Sequence, residues 1–195
     1  RHIQPGELVF CVASVLYQAQ VRHLLMWIAI HHGCFKPRWS NRVQDEWTGS
    51  LLKACSPETQ NRLKARLNET RLLMDQHVPE GLVTEYEDIE SSVVLPDPDD
   101  RHVLAAAIKC GASILLTENV RDFPRSVLLQ YTIDLCTVDA FLEALSRTFP
   151  ADVANSVQEI LDELNSPKLS LKDYCEALAS KGYLRAALSI SRLFT

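Results

Sequence analysis

Three short apolar runs, Leu8-Val-Phe-Cys-Val12, Ser113-Ile-Leu-Leu-Thr117 and Ile133-Asp-Leu-Cys136, constrain the fold of this chain more than any other feature of it. Successive positions within them are largely apolar rather than alternating, so strands built from them hide both faces from water. The stretches between them carry helical spacing. Val15, Val21, Leu24, Leu25 and Ile28 mark a first helix, and Val43, Trp47, Leu51 and Leu52 mark a second, capped by Ser40. Ser56-Pro57-Glu58 starts a third that runs to about Met74. Pro79, Gly81, Pro96 and Pro98 break residues 75 to 100 into loop with one short helix, after which helix resumes at Asp99 or Asp100 and ends near Gly111. Strands alternating with helices predict an α/β fold, a mostly parallel sheet sandwiched between helices. After Phe149-Pro150 the pattern is helical only, over 151 to 164, 170 to 181 and 183 to 193, with breaks at Asn165-Ser-Pro167 and Gly182. The expected organisation is a main domain over 1 to 149 and a small all-helical appendage over 150 to 195.

At 195 residues and 47% hydrophobic, the chain has the material for such a core. No apolar run reaches the roughly 18 residues of a membrane span, and RHIQPGELVF lacks the basic-then-apolar layout of a secretory signal, so a cytoplasmic protein without membrane contact is expected. The six cysteines are scattered with no Cys-x-x-Cys pair, which predicts reduced thiols rather than a disulfide framework. Net charge is -5, which argues against a general nucleic-acid coat, but it is unevenly spread: residues 1 to 74 hold ten Lys/Arg against five Asp/Glu, and 75 to 100 hold nine acids and no base. Two readings fit: a solvated basic helix beside an acidic loop, or a phosphate-facing surface bordering a metal pocket.

Ligands of open α/β sheets collect outside the carboxyl ends of strands. Asp100 opens the helix after the acidic loop, Asn119 and Asp122 follow the strand ending at Thr117, and Glu46 lies on the helix after Ser40. Several carboxylates brought together repel, and a cation between them relieves this; oxygen donors without paired His or Cys favour Mg²⁺ or Mn²⁺. Asp97 and Asp99 read as turn and cap residues. His102 reads as structural or surface, and Trp27, Trp39 and Trp47 as core or interface.

Leu95-Pro-Asp-Pro-Asp-Asp-Arg-His-Val-Leu-Ala-Ala-Ala107, Gly111-Ala, Thr117-Glu-Asn-Val-Arg-Asp-Phe-Pro124 and Trp39-Ser-Asn-Arg-Val-Gln-Asp-Glu-Trp47 together resemble PIN-domain ribonucleases, in particular VapC-type toxins of toxin-antitoxin systems. The likeness runs from about Val9 to Phe149, and the helical tail is similar to an extension that some longer VapC-like proteins carry. It implies a Rossmann-like α/β/α sandwich in which acids bind Mg²⁺ or Mn²⁺ and RNA, tRNA among the candidates, is cut to leave a 5′-phosphate. By position, Glu46 and Asp100 match two metal-binding acids, and the last acidic position falls to Asp122 or Asn119, with Asp122 preferred. Ser14 and Thr117 are expected to lie beside the ligands or substrate, and Arg101 and Arg121, close to the acids in sequence, to orient a phosphate, although Ser14 serves equally as a helix cap and the arginines as salt-bridge partners. A cognate antitoxin and a homodimer are the implied protein partners.

One position departs from the family pattern. Val12 stands where such proteins carry the first metal-binding aspartate, and an isopropyl group cannot coordinate a cation. An inactivating substitution, the preferred account, or a natural pseudo-nuclease would produce this. The expectation is therefore an endoribonuclease that is inactive or weakly active as it stands, with weakened metal binding. The alternative is a non-catalytic PIN module that binds RNA or a protein partner.

Overall fold

In a computed structural model, which describes residues 1–164 and 168–195, the apolar runs form the centre of a five-stranded, all-parallel sheet. Strand β1 (Glu7–Cys11) lies in the middle, flanked by β2 (Phe35–Ser40) and β4 (Ile114–Leu116); β3 (Leu82–Val83) lies outside β2 and β5 (Asp134–Cys136) outside β4. Val9 pairs with Ile114 on one side and Pro37 on the other. Val9, Phe10, Cys11 and Ile114, Leu115, Leu116 are all fully buried, as runs apolar on both faces require. The architecture is α/β, of the Rossmann-like α/β/α kind.

Two strands lie where no apolar run marks them. In Phe35-Lys-Pro-Arg-Trp-Ser40 the charges and the proline hide β2. Pro37 is tolerated because β3 pairs only with Trp39 and Ser40, leaving that part of β2 an edge. Arg38 is buried with its guanidinium on the Pro37 carbonyl (2.9 Å) and on Glu80 (3.3 Å). Strand β3 can approach because residue 81 is glycine: a Cβ there would lie 2.6 Å from the Trp39 ring and 2.9 Å from the Val78 carbonyl. The Trp39 amide donates to the Gly81 carbonyl (2.9 Å).

The first helical segment is broken, not continuous as its spacing predicts. Helix α1 (Ala13–Tyr17) ends at Gln18, whose backbone is extended, and α2 (Ala19–His32) begins after it. Arg22 reaches back to donate to the Leu16 carbonyl, satisfying an acceptor freed by the break. Helix α3 (Asn41–Ala54) starts as expected, with Ser40 Oγ accepting from the Val43 amide (3.2 Å). Helix α4 (Pro57–His77) has Ser56 at its cap position without the side-chain bond and runs three residues past Met74. A short α5 (Glu87–Glu90) and a 3₁₀ turn (Pro98–Asp100) precede α6 (Arg101–Lys109); α7 (Arg125–Leu128) and α8 (Val138–Thr148) flank β5.

The C-terminal helices join the same core. Helix α9 (Pro150–Glu163) packs on α2, burying Val153, Val157 and Ile160 completely. At its polar edge Glu159 accepts from Trp27 Nε1 (2.6 Å) and meets His32 Nε2 (3.2 Å), while Asp152 meets His32 Nδ1 (3.5 Å). Helix α10 (Leu171–Ser180) opens with a Ser170/Asp173 capping box, and α11 (Leu184–Arg192) packs on α8, its Ala186 amide donating to Asp139 (2.8 Å). The expected break at Asn165-Ser-Pro167 falls outside the described residues. All six cysteines are free thiols, and no helix among the described residues is long and apolar enough to cross a membrane.

Candidate functional site

Strand β1 delivers the chain to Val12, which is 5% exposed and donates its amide to the Leu116 carbonyl at the end of β4 (3.2 Å). This residue therefore lies at the carboxyl edge where two central strands finish, the position at which an open sheet presents groups to a ligand. It is the N-cap of α1 and supplies no side-chain cap. Ser14 does not cap that helix either. Its hydroxyl accepts from the Glu118 amide (3.2 Å) and so fastens α1 to the loop after β4. In that loop Thr117, fully buried, accepts from the Asn119 amide through Oγ1 (3.0 Å), and the Asp122 amide donates to the Asn119 carbonyl (3.2 Å). Glu118 turns the other way, accepting from the Val138 amide (3.0 Å); burial raises its carboxyl above the ordinary value, with Val138 opposing and Asp139 adding to the rise.

Across the edge, Asp100 stands before α6 with no capping bond from its side chain. The capping in this loop belongs to Asp97, which accepts from the Asp99 amide (2.9 Å). Burial first, then the charges of Asp122 and Asp97 and, more weakly, Glu46, push the Asp100 carboxyl up from 3.8 to about 6, against a lowering influence from His102. Acids separated by more than seventy positions of sequence thus share one electrostatic neighbourhood. Glu46 is held by His102: its Oε1 lies 2.7 Å from His102 Nε2, with the ring 1% exposed and the glutamate 44% exposed. His102 is thus structural, as one of its two readings has it, and not a surface residue; neither reading foresees the pairing with Glu46. The signal for it is a lone imidazole beside the apolar run Val103-Leu-Ala-Ala-Ala107, which is buried with it.

Other expected site residues are less engaged. Asn119 and Arg121 are exposed. Neither Arg101 nor Arg121 forms an ion pair among the described residues, and Arg101 Nε and His102 Nδ1 are buried without a partner. Trp39 and Trp47 are core side chains; the first donates to Asp75 (3.0 Å) and the second to Gln44 (2.5 Å).

Carboxylate oxygens are the donors that Mg²⁺ or Mn²⁺ takes, so the chemistry of Glu46, Asp100 and Asp122 suits such an ion. Their arrangement does not. Among the described residues no three His, Cys, Asp or Glu side chains are disposed to hold one metal ion. Glu46 is committed to His102, and Val12 presents methyl groups at the strand end. As it stands the edge carries a valine at the strand end and acids that raise one another's affinity for a proton, a surface that repels anions unless a cation or a basic side chain is brought to it. No protein-family model, curated protein or solved structure matches the chain.

Proposed function

We propose that this protein is a PIN-type endoribonuclease of the toxin-antitoxin kind whose hydrolytic centre is silenced by valine at position 12. The observation that carries this reading is that Val12 ends the central strand of a parallel sheet and that Ser14, two residues on, is bonded to Glu118 in the loop after β4 that bears Asp122; the raised Asp100 carboxyl, with Asp122 and Glu46 among its causes, accords with it. An aspartate at position 12 would add a fourth oxygen-donor side chain at that edge, and holding a dication there would also require Glu46 to leave His102 and turn towards Asp100 and Asp122. RNA is the substrate class this reading assigns, and the antitoxin the protein partner.

The test is cleavage of total RNA and of a tRNA pool by the chain and by Val12→Asp, with Mn²⁺ and with EDTA, scoring 5′-phosphate ends. The valine form should be inert and the aspartate form active only with the metal. A second reading, a non-catalytic module that binds RNA or a protein, is favoured by one contact: Glu46 is engaged by His102 (2.7 Å) instead of standing free for an ion. If the aspartate form binds Mn²⁺ and cuts no RNA, that module is the better account.

A further inference from the structure

Away from the acidic edge, helices α2, α4 and α10 line an open cleft of about 690 Å³, within the size range of small-molecule sites. None of Glu46, Asp100 or Asp122 lines it. Its walls are mainly apolar, with Met26 and Ile30 on α2 facing Met74 on α4. Arg22 and Arg66 are its permanently charged lining groups, beside His23, whose pKa burial lowers against the opposing pull of Glu163, and His77; among the described residues no aspartate or glutamate lines it, in a chain with 25 acids to 20 bases.

Arg22 is the informative member. Its guanidinium is half-buried, lies 4.3 Å from the centroid of the Trp47 ring and donates to the Leu16 carbonyl, yet it meets no carboxylate among the described residues. Burial lowers its pKa to about 10, the mark of a cation that has lost water without gaining a counter-charge. Tyr174, 2% exposed, lines the same cavity and its hydroxyl has no hydrogen-bond partner. The Gln20 amide comes near that hydroxyl without bonding geometry and donates instead to the Tyr174 carbonyl (3.0 Å). A mainly apolar cleft with an arginine on its wall that meets a carbonyl and an aromatic ring but no carboxylate is complementary to a molecule with one apolar tail and one anionic head.

We infer that this cavity is a binding site for a free single-tailed amphiphilic anion, of the medium-chain carboxylate class, seated with its tail between Met26, Ile30 and Met74 and its carboxylate on Arg22. A charge-assisted arginine contact gives the head its share of the affinity, and the apolar walls give the tail its own. The site stands independently of any RNA-directed activity.

Isothermal titration of the full chain with decanoate, kept below its micelle threshold, tests this against decyltrimethylammonium, which has the same tail and the opposite charge. Decanoate should saturate at one molecule per chain and bind at least about tenfold more tightly than the cation, the size of one charge-assisted contact. Arg22→Gln should weaken that preference at least severalfold, with Arg66 still on the wall, and an unchanged preference would overturn the seating of the head on Arg22. Because Arg22 also supports Leu16 and Trp47, Ala177→Trp, at a half-buried position on the cavity wall, provides a second variant, with circular dichroism checking that both remain folded; it should abolish binding by filling the chamber. Equal binding of the two head groups, absence of saturable decanoate binding, or binding untouched by Ala177→Trp would overturn the inference.

Discussion

Replacing Asp100 by asparagine should stabilise the protein at neutral pH, and the size of the gain follows from the site. The folded carboxyl titrates near 6 against 3.8 ordinarily, so the folded state holds a proton that the unfolded chain has already released between those values. The contribution of Asp100 to stability is therefore most favourable below about pH 4, declines as pH rises towards 6, and carries the full penalty above it. An interval of that width corresponds to a ceiling of roughly 3 kcal/mol. Asp100 is only partly buried, and water and salt screen its neighbours, which brings the expected effect down to about 1 kcal/mol. Asparagine keeps the shape, and no capping bond is lost because Asp100 makes none. Thermal unfolding of both forms from pH 4 to pH 8 should show a midpoint about 2–4 °C higher for Asp100→Asn at pH 7.5, no advantage at pH 4, and a smaller difference in high salt. An unchanged or lower midpoint at pH 7.5, with the same slope between pH 4 and 6, would refute the repulsion argument.

Other perturbations have equally definite outcomes. Gly81→Ala should destabilise by about 1–3 kcal/mol, because the new methyl meets the Trp39 ring and a backbone carbonyl that cannot both withdraw; urea denaturation measures it, and loosening of β3 should show as faster amide exchange at Trp39. Ser40→Ala should cost about 1 kcal/mol through loss of the α3 cap, whereas Ser56→Ala, whose side chain caps nothing, should cost less in the same assay. Ile160→Ala, fully buried where α9 meets α2, should cost about 2–5 kcal/mol by chemical denaturation. A near-zero cost there would mean that the C-terminal helices contribute little to the core.

Much of this fold is legible in the residues, and the exceptions have physical causes. Strands β1 and β4 announce themselves because burial on both faces demands continuous apolar residues. Strand β2 does not, because Lys36 leans into solvent, Arg38 is neutralised by a carbonyl and Glu80, and Pro37 occupies an edge that lacks a partner. The break at Gln18 is invisible to apolar spacing, since what stabilises it is a long-reaching guanidinium rather than a helix-breaking residue. At the acidic edge, Asp100, Asp122 and Glu46 can be picked out from their places after strands and at helix starts, and they are electrostatic neighbours. The Glu46–His102 pair could not be read in the same way, because it joins α3 to α6 across 56 positions and depends on tertiary packing alone.

The placement of β1 at the centre of the sheet has a consequence for how the protein is made. Its pairing with β2 needs only the next few tens of residues, whereas its other side waits for Ile114, about 100 residues later in the chain. At a synthesis rate of roughly 5–20 residues per second, that flank stays open for about 5–20 s while the ribosome works. During this interval Val9, Phe10 and Cys11, all buried in the finished protein, present one unpaired side to the cell. A nascent chain of this design therefore depends on shielding by α1 and α2, or by a chaperone, before β4 arrives to close the sheet.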